Sequence, residues 1–342
     1  MKEATLFAKI LVIALMASLL AFSCRKSSSS DDDDTEYVGG TITYVLPAYT
    51  APGDSYELVP TGAYTSDGSD IGFCWTLSTD TSIRDTTRHI GDPPEVTGAY
   101  TLNIPEDFVG DLTVTCYAFA DGYYTRTQSS TTTVVDSEKS LVISKPLEPA
   151  ESLFYDERDG RLYTYLAIGD LDWFTQNLAY ESGKPFYNVE AMRDIFGAFY
   201  TWNEAKTACP EGWRLPDSED WLSLATALGC EAPETLEPCS GIAGAMMAKA
   251  FFNDNEMWEF NANVKLTNSS VFSALPVGYA NVVDEKFVFA GFYNYSVFWT
   301  ASEFSDNKAL YRFLYKTSPD VMVDAGYKEY FAAQVRCVRN AE

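Results

Sequence analysis

The chain has 342 residues, 46% hydrophobic and 15% aromatic, which is enough apolar material to bury two cores. Asp and Glu number 49 against 24 Lys and Arg, a formal net charge of −25. A surface of that sign repels phosphate backbones and anionic membranes, so it excludes nucleic acid as an expected partner and points to a solvated acidic exterior.

The first element in chain order is an export signal. Lys2 precedes an apolar run from Ile10 to Phe22, too short to span a membrane and of the right length for a signal h-region. The run ends LLAFSC, with the small Ser23 directly before Cys24, and turns at once to RKSSSSDDDD. This resembles the lipobox of bacterial lipoproteins, with Ala21 and Phe22 departing from its commonest residues. The resemblance implies a signal peptide over 1–23 and a diacylglycerol on the Cys24 thiol, with a further chain such as palmitate making the anchor stable. Ser30 followed by Asp31 to Asp34 resembles the signal that sends lipoproteins of Bacteroidetes to the cell surface. Residues 24–37 are therefore expected to be a lipidated acidic tether on the outward side of the outer membrane.

Residues 38–137 read as short strands punctuated by Gly, Pro and Asp. DLTVTCYAFA (111–120) alternates, with Leu112, Val114, Cys116 and Ala118 on one face. Asp121-Gly122 then leads into YYTRTQSSTTTVV, which predicts a type I′ hairpin. Cys74 lies in GFCWTLS, another strand-like run, and its neighbour Trp75 must face the other side. The reading is an all-β immunoglobulin-like sandwich, similar to the bacterial immunoglobulin-like or PKD-like modules that act as spacers. SEKSLVISKPLEPAES, with Pro146 and Pro149, marks a linker over 138–152.

The second domain, 153–342, opens with two strand-like runs broken at Gly169-Asp170. Thr201 and Glu204 form a capping box that starts a short helix carrying Ala205 and Ala208 and ending near Cys209. Asp217 and Asp220 cap a second helix, whose Trp221, Leu224, Ala225 and Leu228 make an apolar stripe that Gly229 stops. Short strands and turns follow, among them FSALPVGY, KFVFAGFYNYSVFWTASE, ALYRFLY and AAQVRCVRN.

Seven cysteines occur, and setting Cys24 aside leaves six in an oxidising compartment, the usual basis of a disulfide framework. Cys74 and Cys116 fall in the first domain and pair there. Cys230 and Cys239 flank a short Pro-containing loop and pair across it. That leaves Cys209 with Cys337. No C-x-x-C occurs and His89 is the single histidine, so a zinc or copper site of ordinary ligands is not expected.

The ordered series DGRLYTYLAIGDLDWFTQNL, YTWNEAKTACPEGWRLPDSEDWLSL, FSALPVGY, FWTASE and VRCVR resembles the Fibrobacter succinogenes major paralogous domain (FISUMP), over about residues 156–340. The resemblance implies an α+β fold similar to C-type lectins and to formylglycine-generating enzymes, with two helices beside a small mixed sheet. In C-type lectins a long-range disulfide joins a helix end to the final strand, the positions that Cys209 and Cys337 hold here. No defined activity comes with the family.

Chemistry is sparse in the residues themselves. A Ser-His-Asp or Cys-His site needs an imidazole, and His89 lies in the spacer, far from every nucleophile in the second domain. An enzyme of the formylglycine-generating kind would need reactive cysteines, and each cysteine here has a structural assignment. Lectin-type calcium motifs are missing: Glu237-Pro238 runs into Cys239, and Trp299 is followed by Thr300 and Ala301. Glu303, Asp306 and Asn307 remain as a weak hard-cation candidate, so no cofactor is firmly expected. Tyr293, Tyr295 and Trp299 are the tentative ligand-binding residues, since aromatic faces with polar handles stack on sugars or anchor proteins. Arg214, Arg312, Arg336 and Arg339 are expected to pair with carboxylates. The expected function is a surface lipoprotein that binds a glycan or a host or matrix protein, as an adhesin or recognition module. A structural subunit or cap of a surface appendage is the alternative, and an enzyme the second alternative.

Overall fold

The computed structural model of the protein describes residues 35–79, 86–90, 98–144 and 152–341. The expected signal peptide, Cys24 and most of the tether lie outside the described residues. Among the described residues no helix is long and apolar enough to cross a membrane. The chain is rich in β-strand and divides into two compact units between Asp136 and Ser137.

The first unit is all-β. A five-stranded sheet runs in the order Tyr49–Thr50, Arg126–Val134, Gly110–Phe119, Gly72–Ser78 and Thr86–Ile90. Two short ladders, Gly39–Thr43 with Thr61–Tyr64 and Ser55–Leu58 with Tyr100–Asn103, complete it. The alternation read in 111–120 is realised: Leu112, Val114, Cys116 and Ala118 are all buried, packing with Leu58, Leu102 and Trp75 in one core. Trp75 stacks on Tyr100 at 5.7 Å and donates its indole N–H to the carbonyl of Gly98.

Two expectations are corrected here. The Asp121-Gly122 turn does not close a two-residue hairpin, because strand pairing stops at Ala118 opposite Arg126. The intervening Tyr124 is drawn off to pair with the segment at Glu36–Val38. Cys74 and Cys116 lie on adjacent strands, but Cys116 stands opposite Trp75 and Cys74 opposite Tyr117. A one-residue offset puts the two sulfurs on opposite faces, and Cys116 is a free, buried thiol. His89 lies on the strand Thr86–Ile90, in register with Phe73.

The second unit takes in the segment read as a linker. Leu141–Ser144 pairs antiparallel with Lys249–Phe252, because four residues with alternating exposure suit a sheet edge even with prolines soon after. Four short helices follow: α1 (Glu190–Phe196), α2 (Trp202–Ala208), α3 (Ser218–Ala227) and α4 (Ala243–Met246). α2 and α3 start where the capping boxes predict. The Asp217 carboxylate accepts from the N–H groups of Glu219 and Asp220, while Asp220 accepts from the N–H of Asp217. Gly229, just past α3, takes φ +96°, a conformation other residues resist.

Three sheets carry the rest. One holds, in order, Ser152–Asp156, Arg161–Ile168, Leu171–Phe174 and Val338–Asn340. A second runs Lys184–Pro185, Ala198–Thr201, Phe331–Ala333, Tyr279–Val283 and Lys286–Ala290. The third is an antiparallel meander of Tyr295–Ser305, Lys308–Tyr315 and Met322–Tyr327. Alternate residues of these strands feed two cores: Trp173 and Phe298 join Trp221 and Phe272 in one, whereas Phe174 and Trp299 join Trp213 and Tyr200 in the other. Cys209, at the end of α2, is bonded to Cys337 with Cα atoms 5.8 Å apart, so the disulfide ties the helix to the strand that begins at Val338.

Candidate ligand-binding face

The meander has one face in the core and one that is only partly covered. Ser296, Phe298 and Thr300 point inward from its first strand, and Leu310, Arg312 and Leu314 do so from its second. The other face carries Tyr295, Val297 and Trp299 opposite Tyr315, Phe313 and Tyr311. Its Val297–Trp299 end is roofed: Trp299 is 0% exposed and donates its indole N–H to the carbonyl of Tyr200 at 2.8 Å. Its Tyr295 end is half-exposed. There Tyr295 stacks on Tyr315 at 4.7 Å and meets Tyr279 edge-on, while at the roofed end Tyr311, opposite Trp299, stacks on Phe331 at 4.9 Å. Phe313 lies between Tyr295 and Tyr311.

The result is a band of six half-buried rings, four of them phenols, with Tyr295, Tyr311, Phe313 and Tyr315 on the meander and Tyr279 and Phe331 on the second sheet. Burial, then the neighbouring Tyr315 and Tyr279, push the Tyr295 phenol up. Burial and then the Asp324 carboxylate push Tyr311 up as well. Both phenols stay protonated and neutral at physiological pH, and the Tyr311 O–H donates to the Asp324 carboxylate. Flat apolar faces beside such donors suit a ligand that offers both C–H faces and hydroxyls.

Of the residues singled out in sequence, Tyr295 belongs to this band. Trp299 does not offer its ring to a ligand, since its strand end is covered by Phe331 and by the carbonyl of Tyr200. Tyr293 belongs to a different group: it sits at φ +63° in the turn, with its ring on Phe292 at 4.3 Å, and Phe292 packs among Phe186, Phe196 and Phe252. Tyr279, Tyr311, Phe313, Tyr315 and Phe331 were missed. The alternation of ALYRFLY could have found the three on one strand, whereas Tyr279 and Phe331 arrive only through tertiary pairing.

The hard-cation candidate is also corrected. Glu303, Asp306 and Asn307 gather round an ammonium group: Lys328 Nζ donates to Glu303 Oε2 at 2.8 Å and to the carbonyl of Asp306 at 2.9 Å. Asn307 Oδ1 accepts from Ser305, and its backbone carbonyl accepts from the Lys328 N–H. Among the described residues no three His, Cys, Asp or Glu side chains gather as metal ligands.

The four arginines divide. Arg214 pairs with Asp220 and Arg339 with Asp172 at 2.9 Å, as expected. The guanidinium of Arg312 instead donates to the carbonyls of Thr235 and Glu237, and that of Arg336 to the carbonyls of Phe174, Phe272 and Ser273 and to Asn177 Oδ1. Trp213 and Trp221 are core residues. The expected Cys230–Cys239 bond is not formed. Both are free thiols, and they share a hydrogen bond.

Taken together, the second unit is a disulfide-closed, β-rich domain with short helices and one partly uncovered aromatic face. Residues 166–339, just over half of the chain, match the Fibrobacter succinogenes major domain, and the chain belongs to that family. No curated protein matches it. Among solved structures, the sporulation control protein Spo0M from Bacillus subtilis is similar at 12% identity over 40% of this chain and 78% of its own, with a TM-score of 0.20. The Yersinia pseudotuberculosis adhesin InvE is similar at 11% identity over 89% of this chain and 70% of its own, with a TM-score of 0.24. A Salmonella alpha-2-macroglobulin is similar at 12% identity over 91% of this chain and 22% of its own, with a TM-score of 0.22.

Proposed function

We propose that the chain is a lipid-anchored protein of the outer cell surface, whose second unit has a C-type-lectin-like arrangement and binds a neutral glycan through its aromatic face. The first unit serves as an immunoglobulin-like or PKD-like spacer. The observation that carries the reading is the band of Tyr279, Tyr295, Tyr311, Phe313, Tyr315 and Phe331, half-buried across two sheets. A core has no need of phenols at partly solvated positions, whereas a sugar ring uses both their faces and their hydroxyls. The net charge of −25 and the nearby Asp324 disfavour anionic ligands, leaving neutral sugars as the class that fits.

The test is a glycan array probed with residues 35–342, with and without calcium. Binding is expected in both conditions, and Tyr295→Ala or Tyr315→Ala should weaken it about tenfold, roughly 1.4 kcal/mol. Thermal melting of each variant separates a lost contact from a lost fold. Hits that both variants retain would move the site elsewhere. A blank array together with a stable complex recovered from native membranes would favour the appendage-subunit reading.

A further inference from the structure

The loop from Gly229 to Ser240 leaves α3, carries Pro233 and Pro238, and lines a cavity of about 430 Å³ that opens to solvent. Cys230 stands at its start, half-exposed in that cavity wall, and its N–H is held by the carbonyl of Ala225 at the end of α3. Cys239 stands at its other end, buried in the core beside Trp173 and Leu314, and exchanges backbone hydrogen bonds with Val321 at 2.9 Å in both directions. The two thiols share a hydrogen bond. Between them the loop lies over Arg312, whose guanidinium donates to the carbonyls of Thr235 and Glu237 and lies near both sulfurs. Two sulfurs are thus held together by fixed backbones, one reachable from solvent and the other shielded behind it.

We propose that Cys230 and Cys239 form a reversible thiol–disulfide exchange site, in which Cys230 takes up an external disulfide and Cys239 resolves it to latch the loop. The oxidant is a low-molecular-weight or protein disulfide. Cys230 loses its proton and its sulfur attacks one sulfur of that disulfide. A mixed disulfide forms as the external S–S bond breaks, and the first thiol leaves with the electron pair and a proton. Cys239 then loses its proton and attacks the Cys230 sulfur, forming the internal bond and releasing the second thiol with the remaining proton. One external disulfide is reduced to two thiols, and two protein thiols are oxidised to one disulfide. Burial pushes the Cys239 thiol up to about 11, in keeping with the shielded sulfur acting second. The two thiols already lie within hydrogen-bond reach of each other, as the exchange requires. The Cys209–Cys337 bond, whose Cys337 is buried in the core, is expected to stay out of the exchange.

The full chain is equilibrated in glutathione buffers from fully reduced to fully oxidised, quenched with a maleimide and mapped by peptide mass spectrometry. The expected result is that both tags, on Cys230 and on Cys239, are lost together toward the oxidised end and regained toward the reduced end, while Cys209 and Cys337 remain untagged throughout. Cys239→Ser should accumulate one glutathione on Cys230, and Cys230→Ser none on Cys239. Both residues tagged in every buffer would overturn the proposal. So would a Cys230–Cys239 bond that resists every buffer, which would make it a permanent staple. The wild-type titration decides the matter even if a variant fails to fold.

Discussion

Arg336 shows how a single side chain can organise a loop-rich domain. It is 1% exposed and gives its donors to the carbonyls of Phe174, Phe272 and Ser273 and to Asn177, with Phe272 and Phe298 flanking its plane. A guanidinium is the side chain that can satisfy several divergent carbonyls at once, and those carbonyls come from segments almost a hundred residues apart. Arg336→Ala would leave them buried and unpaired, at a cost of about 3–5 kcal/mol in urea unfolding of the second unit. Trp299 and Tyr315 make a useful contrast, as two aromatic residues facing the same side of one sheet. Trp299→Ala should cost about 3–5 kcal/mol of stability, as expected for emptying a buried indole site. Tyr315→Ala should cost about 1 kcal/mol or less, because its ring is already half in water. Equal losses would mean that the Tyr315 ring is a core group, and the aromatic face would lose one of its members. Sequence alone could not separate these two residues. Alternation assigns both to one face, and which end of that face is roofed depends on Phe331 and Tyr200, on other strands.

At the scale of elements, ends and ties dominate. The helix starts were legible because a capping box is local: Asp217 and Asp220 are three residues apart, and that spacing already fixes the geometry. Asp217→Ala should destabilise the second unit by about 1 kcal/mol, measured as a shift of the urea midpoint. The tie at the other end of α2 was not legible. Asp156 holds Arg158 through bonds of 2.7 and 2.9 Å, and Arg158 in turn donates to the carbonyl of Ala208 in the last turn of α2. Burial raises the Asp156 carboxyl, but the hydrogen bonds and charge of Arg158 outweigh it, so its folded pKa lies below the ordinary carboxylate value of about 3.9. A lowered folded pKa adds stability above the unfolded pKa, and that stability is lost as pH falls through the folded value. Urea midpoints measured between pH 2 and 6 should therefore fall below about pH 4, and Asp156→Asn should flatten that part of the curve. An unchanged slope in the variant would assign the acid sensitivity to other carboxylates. Strand existence was readable in the same local way, whereas register was not. Cys74 and Cys116 sit in correctly read strands, and one residue of offset separates their sulfurs.

For the molecule as a whole, the long-range disulfide was reachable through the resemblance, which sets Cys209 at a helix end and Cys337 at the final strand; elimination alone would not have held, since Cys74–Cys116 and Cys230–Cys239 are not formed. The lysine at Glu303 and Asp306 was not, since Lys328 comes from a strand end more than twenty residues on. Reducing Cys209–Cys337, which closes a separation of 128 residues, should lower the stability of the second unit by at most about 5 kcal/mol on the chain-entropy account. Calorimetry with and without reductant checks this on the second unit's transition. The sheet beside that disulfide carries a further consequence, for biogenesis. Its outer strand, Ser152–Asp156, opens the sheet, and its other edge, Val338–Asn340, is supplied only after nearly all of the domain has been made. A growing chain therefore cannot close this sheet early. The domain completes its fold late, once its last strand is available.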